Sequence, residues 1–303
     1  MGGTAIELVE VSPRDGLQNE PRILPVEIRA ELIERAIAAG ASRLEVASFV
    51  RPDAVPQMAG AEEVVDRLPP GAARYIGLVL NKRGALRALE TQVDEIGFVC
   101  VASDSFGMRN QRQSSAQSLE IACDVLELAG SEGRAAQAMI AVAWGCPFEG
   151  RVSREHVVAM ARRLAAAGSH EIGLADTIGI ARPEEVEHLT RMVVEAVGPV
   201  PVRVHLHDTR GMGVANALAA IRGGARVIDA SIGGTGGCPF APGAAGNLAT
   251  EDFVYATGGG PDGGEGGALL LDLDRLVDTA HWLNRQLGRE RTSALARTHR
   301  VGD

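Results

Sequence analysis

Short apolar, β-branched runs alternate along the chain with longer stretches whose apolar positions recur every three to four residues. The short runs fall at 6–11, 43–47, 74–80, 95–101, 136–143, 171–175, 202–207 and 227–232, and each predicts a strand. The longer stretches predict helices. In residues 25–39, Ile28, Leu32, Ala36 and Ala39 share one face, Pro25 suits the first turn and Gly40 supplies the stop. Residues 154–167 follow Ser153 as N-cap, and 183–197 and 213–222 repeat the pattern, with Gly168, Gly198 and Gly223 closing the three helices.

Eight strands alternating with helices predict a parallel sheet. No shift in composition marks a domain boundary, so an α/β fold with a single (β/α)₈ TIM barrel over residues 1–303 fits best. The pattern adds C-terminal helices, with a cap region at about 257–303 that includes a helix at 272–287 behind a Gly-rich surface loop at 258–267. An open doubly wound sheet fits less well. It usually carries GxGxxG after its first strand, where this chain reads SPRDGLQNE.

Composition narrows the classes of function. Aromatics are 3% of the 303 residues, so Val, Leu, Ile and Ala must fill the core. A net charge of −9 argues against a nucleic-acid binder, which needs a positive face. No apolar run reaches the ~18 residues of a membrane span, and the first strand begins too early to leave room for a cleavable leader. Cys100, Cys123, Cys146 and Cys238 form no CxxC pair and no zinc spacing, which points to a reducing, cytoplasmic setting. Lys82 is the only lysine, and its turn-like context argues against Schiff-base chemistry.

In a barrel, chemistry sits at the C-terminal ends of the strands. The first strand leads into Ser12-Pro13-Arg14-Asp15-Gly16, which reads as a turn projecting Arg14 and Asp15, or as a local ion pair. The seventh ends in His205-Leu206-His207-Asp208. Residues two apart on a strand face one side, so the two imidazoles point together at the barrel mouth, and with a carboxylate from the first strand they suit Mg²⁺, Mn²⁺ or Zn²⁺. Asp208 reads as a residue orienting one imidazole. The loop after the eighth strand is Gly-rich, carries Cys238 directly after Gly236 and Gly237 and ends at Asn247, whose amide oxygen could complete a metal site. It reads as a lid delivering a thiol. Glu45, inside the second strand, needs a partner such as Arg14. Asp176, Asn110 and Ser114 follow strands and read equally well as caps or polar loop residues. The remaining histidines read as surface residues.

Taken together, EVSPRDGLQNE, EVASFVRPDAVPQMA, GCPFEG, GLADTIGIA, VHLHDTRG and GGTGGCPFAPGAAGNLATEDFVY resemble, in order from about residue 6 to 256, the 3-hydroxy-3-methylglutaryl-CoA lyases. These are metal-dependent, aldolase-like barrels. The resemblance implies cleavage of 3-hydroxy-3-methylglutaryl-CoA to acetyl-CoA and acetoacetate. It implies a divalent cation, Mg²⁺ or Mn²⁺, held by Asp15, His205, His207 and Asn247. Arg14 would polarise the thioester carbonyl, Asp15 or His205 would take the hydroxyl proton, and Cys238 would supply a proton. Glu45 and Asp176 match active-site carboxylates, and Gln18, Asn110 and Ser114 match positions near the acyl-CoA. Homodimers are common in that family. Two positions depart from its usual pattern: Pro21 stands where Lys is frequent and Met139 where Tyr is frequent, so a related acyl-CoA, such as citramalyl-CoA or a longer 3-substituted glutaryl-CoA, is an alternative substrate. A condensing synthase and a non-catalytic CoA- or metal-binding barrel are the competing classes. The synthases usually carry a long C-terminal extension and lack the GGCP loop, whereas a binding barrel has no need of the full catalytic set.

Overall fold

The structure, a computed structural model, describes residues 6–237, 246–258, 269–290 and 293–298. Its strands are β1 (Glu7–Glu10), β2 (Arg43–Ser48), β3 (Arg74–Val79), β4 (Glu95–Val101), β5 (Ala135–Ala141), β6 (Gly145–Cys146), β7 (Gly150–Arg151), β8 (Ile172–Asp176), β9 (Val202–Leu206) and β10 (Val227–Ala230). The helices are α1 (Val26–Ala38), α2 (Ala61–Asp66), α3 (Lys82–Leu89), α4 (Asp104–Asn110), α5 (Ser115–Ser131), α6 (Arg154–Ala166), α7 (Pro183–Val197), α8 (Gly213–Arg222), α9 (Thr250–Ala256), α10 (Leu273–Leu287) and α11 (Ala294–Thr298). Eight strands close a parallel barrel in the order β1-β2-β3-β4-β5-β8-β9-β10, and β10 returns to β1 with Val227 opposite Glu7. This is a TIM barrel. The β6–β7 ribbon is an antiparallel excursion in the β5–α6 loop that hydrophobic patterning does not reveal, since two-residue strands carry no periodicity.

Local chemistry accounts for the helix ends. Ser153 caps α6 by accepting the His156 amide, and Asp272 caps α10 by accepting the Arg275 amide at 3.1 Å. Pro25 is the N-cap of α1 and lies just outside its first turn. The helix expected at 272–287 forms as α10, and its Trp282, Leu283 and Leu287 pack with Leu24, Leu32 and Met58.

The apolar core lies between barrel and helices. Outward residues such as Ile96, Phe98, Ile140, Leu174 and Val204 meet Leu119, Val125, Leu164, Leu189 and Val193 of the surrounding helices. Inside the barrel, a small apolar group (Val9, Val11, Ile76, Val227) shares the space with a buried polar column. Arg43, 1% exposed, pairs with Glu95 (2.5 Å) and Glu171 (2.8 Å) at the floor. Above them Arg203, also 1% exposed, grips Asp229 and lies 3.5 Å from Glu45. The interior therefore carries charge towards the mouth rather than filling it with branched side chains alone.

Candidate active site

The segment after β1 folds as a π-helical turn, Ser12–Gly16, in place of an ordinary turn; the Gly16 amide reaches back to the Val11 carbonyl at 3.1 Å. A side chain is barred at Gly16, because a Cβ there would lie 2.6 Å from the Thr235 hydroxyl. This close approach brings the loops after β1 and β10 together. The turn presents Arg14 to Glu45 of β2 through its Nε and Nη2, and to Asp15 Oδ1 at 2.8 Å. Glu45 thus has the Arg14 partner that its place in a strand demanded.

Asp15, His205 and His207 converge: one ligand atom from each lies within 4.8 Å of the others. His205 Nε2 is 3.7 Å from Asp15 Oδ2 and 3.2 Å from His207 Nε2. Asn247 joins them by donating from Nδ2 to Asp15 Oδ2 at 2.7 Å and to the Thr235 carbonyl at 3.0 Å. Those two bonds orient the amide, and its Oδ1 is left buried without a hydrogen-bond partner. Two imidazole nitrogens facing each other, beside a carboxylate and an unspent amide oxygen, are a donor set suited to a cation.

The interior charges agree. Arg14, Arg43 and Arg203 supply three buried guanidiniums, against five carboxylates on Asp15, Glu45, Glu95, Glu171 and Asp229. Glu7 and Arg74, at the rim of the floor, pair with each other. This excess of carboxylate over guanidinium, beside two imidazoles, suits a cation at the mouth of the barrel.

Electrostatics poise the donors. Burial alone would raise the Asp15 pKa, but Arg14, then His205 and His207, outweigh it and hold the carboxyl well below its usual range. Burial and the neighbouring His205 push His207 down to about 4, so its imidazole is neutral and ligand-competent at pH 7. Burial would also lower His205, but its hydrogen bond to Asp229 and the Asp15 charge raise it overall. Asp229 Oδ2 accepts from His205 Nδ1 at 3.0 Å, and Arg203 fixes the carboxylate from behind. That bond selects the tautomer whose Nε2 lone pair faces Asp15 and His207.

Asp229 thus takes the role read for Asp208, which is a correction to the sequence reading. Asp208 lies past the end of β9 and turns away to accept the Gly213 amide, at 2.6 Å, at the start of α8. Asp229 and Arg203 were missed. The available signal was period-two alternation, which puts Arg203, His205 and His207 on one face of the same strand.

Arg14, Asp15, Glu45, Arg203, His205, His207 and Asp229 line a cleft of about 140 Å³ together with Gln18, Asn110, Gln137, Met139 and Gly237. Ser114 and Asp176 are not among its lining residues. Ser114 forms a capping box with Gln117 at the start of α5. Asp176 accepts the Ile180 and Ala181 amides at 3.0 Å each, and burial raises its pKa despite those bonds. Cys238 lies outside the described residues, as does most of the Gly-rich stretch at 258–267. Its neighbour Gly237 lines the cleft and accepts a hydrogen bond from Asn19 at 2.7 Å. The backbone at the other end of that loop is packed tightly: a Cβ on Gly246 would lie 1.8 Å from the Gly234 carbonyl oxygen. Glycine there serves close chain packing.

A parallel eight-stranded barrel with a carboxylate, two imidazoles, an amide and an arginine at the C-terminal mouth defines an α/β-barrel enzyme. The HMGL-like family model matches residues 5–281, and the chain belongs to that family of lyases. It is 42% identical to the (R)-citramalyl-CoA lyase of Chloroflexus aurantiacus, over 94% of this chain and 92% of that protein. It is 38% identical to the hydroxymethylglutaryl-CoA lyase of Pseudomonas mevalonii, over 94% and 93%. An HMG-CoA lyase from Acinetobacter baumannii, solved in complex with coenzyme A and 3-methylmalate, superposes with a TM-score of 0.91 at 38% identity, covering 99% of this chain and 97% of that one.

Proposed function

We propose that the protein cleaves 3-hydroxy-3-methylglutaryl-CoA to acetyl-CoA and acetoacetate, using Mg²⁺ or Mn²⁺ bound by Asp15, His205, His207 and Asn247. The observation that carries this reading is the convergence of those donors directly beside Arg14, which is buried and aimed into the cleft. The cation, when bound, acts as Lewis acid and template for the tertiary hydroxyl and a neighbouring oxygen of the substrate.

The chain's residues account for the remaining steps. Asp15 or His205 takes the hydroxyl proton, the C2–C3 electron pair moves into the thioester as that bond breaks, and Arg14 stabilises the charge developing on the enolate oxygen. Glu45 holds the guanidinium in place for that task. A proton from Cys238 then completes acetyl-CoA. Gln18 and Asn110, on the cleft wall, contact the acyl-CoA. The barrel and its C-terminal helices act as one catalytic unit. Among the described residues no helix is long and apolar enough to cross a membrane.

Citramalyl-CoA, which would give acetyl-CoA and pyruvate, is the second reading. It is favoured by the 42% identity to a lyase of that name and by Met139 on the cleft wall. The test is metal-dependent release of acetyl-CoA from each thioester, with the keto acid identified by mass. Turnover that survives exhaustive chelation overturns the metal-assisted reading.

A further inference from the structure

The cleft continues below the metal-ligand cluster into a part of the barrel that side chains ordinarily fill in layers. On the β4–β5–β8 side, two inward positions are glycine. Gly97 lies opposite Gln137, and Gly173 lies opposite Met139. Met139 folds sideways over Gly173, where a Cβ would come within 2.4 Å of its sulfur. Residues 139 and 173 are therefore one packing unit. A side chain at 173 would evict the thioether, and the thioether forms the apolar wall in its place.

Gln137 stands two residues earlier on β5, about 7 Å along the strand from Met139 towards the floor of the barrel. It is 2% exposed and lines the cleft, and its amide nitrogen is buried without a hydrogen-bond partner. A methyl group on the substrate's carbinol carbon reaches only ~1.5 Å from that carbon, far short of this depth. A carboxylate is excluded here, because the interior already holds more carboxylates than guanidiniums and Arg43 and Arg203 are spent on Glu95, Glu171 and Asp229. A purely aliphatic chain would leave the buried Gln137 donor unpaired, whereas a carbonyl oxygen could accept from it.

We infer that the deep end of the cleft is a subsite, built by Met139, Gly173 and Gln137, for a neutral, oxygen-tipped substituent on the carbinol carbon of the acyl-CoA. The inference rests on the lyase reading above and extends it to the substrate's third branch.

Three 3-hydroxyglutaryl-CoA thioesters test it in the presence of Mg²⁺. They bear at C3 a methyl, a 3-methylbutyl or a 3-oxobutyl group. The two longer groups match in heavy-atom count and differ by one carbonyl oxygen. The expected result is a kcat/KM for the 3-oxobutyl compound about tenfold above the 3-methylbutyl one, the discrimination of one buried hydrogen bond, and no lower than that of the methyl compound. Gln137→Met should abolish the difference between the two longer substrates. Met139→Phe should lower kcat/KM for both relative to the methyl substrate. Should either variant fail to melt cooperatively, Gln137→Leu and Met139→Leu replace it, and the wild-type substrate ranking stands as a test by itself. Cleavage of the methyl substrate with both longer ones slower by a hundredfold or more overturns the inference and leaves the lyase reading intact. An unchanged preference in folded Gln137→Met overturns it as well. If none of the three thioesters is cleaved, the reading as a 3-hydroxy-3-methylglutaryl-CoA lyase fails and takes the subsite with it, whereas the citramalyl-CoA reading is left to its own assay.

Discussion

Asp229 offers no atom to the ligand cluster, yet its bond to His205 Nδ1 decides which ring nitrogen carries the lone pair. Asp229→Asn should therefore weaken Mn²⁺ affinity by roughly 10–100-fold, read by calorimetric titration. If affinity is unchanged in the folded variant, Asp229 serves the ion-pair column alone. In the proposed reaction Arg14 faces charge that develops only as the C–C bond breaks. Arg14→Gln should lower kcat strongly while KM stays within roughly tenfold; a rise in KM alone would reduce Arg14 to a binding residue. The cysteines divide by environment. Burial pushes the Cys100 thiol up to about 12, so it resists alkylation. We expect a thiol alkylator to inactivate the enzyme through Cys238, with a bound substrate analogue slowing the loss. Peptide mapping that finds the label mainly on another cysteine would remove Cys238 from the proton transfer.

At the level of elements, α9 anchors the loop after β10. Glu251, in the first turn of α9, accepts the Gly233 amide with both carboxyl oxygens at 3.1 Å. Burial raises its pKa from 4.5 to about 7, although hydrogen bonds from Ser293 and Gly233 oppose the shift. A carboxyl whose folded pKa lies above its unfolded value favours the fold most below the unfolded pKa. That stability should fall as pH rises from about 4.5 to about 7, by about 1.4 kcal/mol per unit at most, and then level off. Glu251→Gln keeps an acceptor and removes the titration. Denaturant unfolding at pH 5, 6 and 7 should show the wild-type-minus-variant difference declining with pH; a constant difference would mean that Glu251 is ionised throughout.

For the molecule as a whole, the proposed cation would link its binding to folding. A ligand that binds only the folded state adds about 2.7 kcal/mol at a hundred times its Kd. Mg²⁺ or Mn²⁺ should therefore raise the melting temperature in proportion to the logarithm of its concentration, and His207→Ala should abolish the shift. An equal shift in that variant would place the ion elsewhere.

The barrel was legible in the sequence, because its strands are short apolar runs and the helices at 25–39, 154–167, 183–197 and 213–222 are 3.6-residue patterns closed by glycine. The sequence also placed Asp15, His205 and His207 at strand ends, since strand periodicity is local. Contacts that join distant strands depend on closure of the barrel, which carries no local signal. Only the tertiary structure gave Asp229 the orienting role read for Asp208, and turned Ser114 and Asp176 to hydrogen bonds within their own loops. It alone set Gly173 under Met139 and left Gln137 without a partner at the bottom of the cleft, because register between neighbouring strands decides which inward side chains meet.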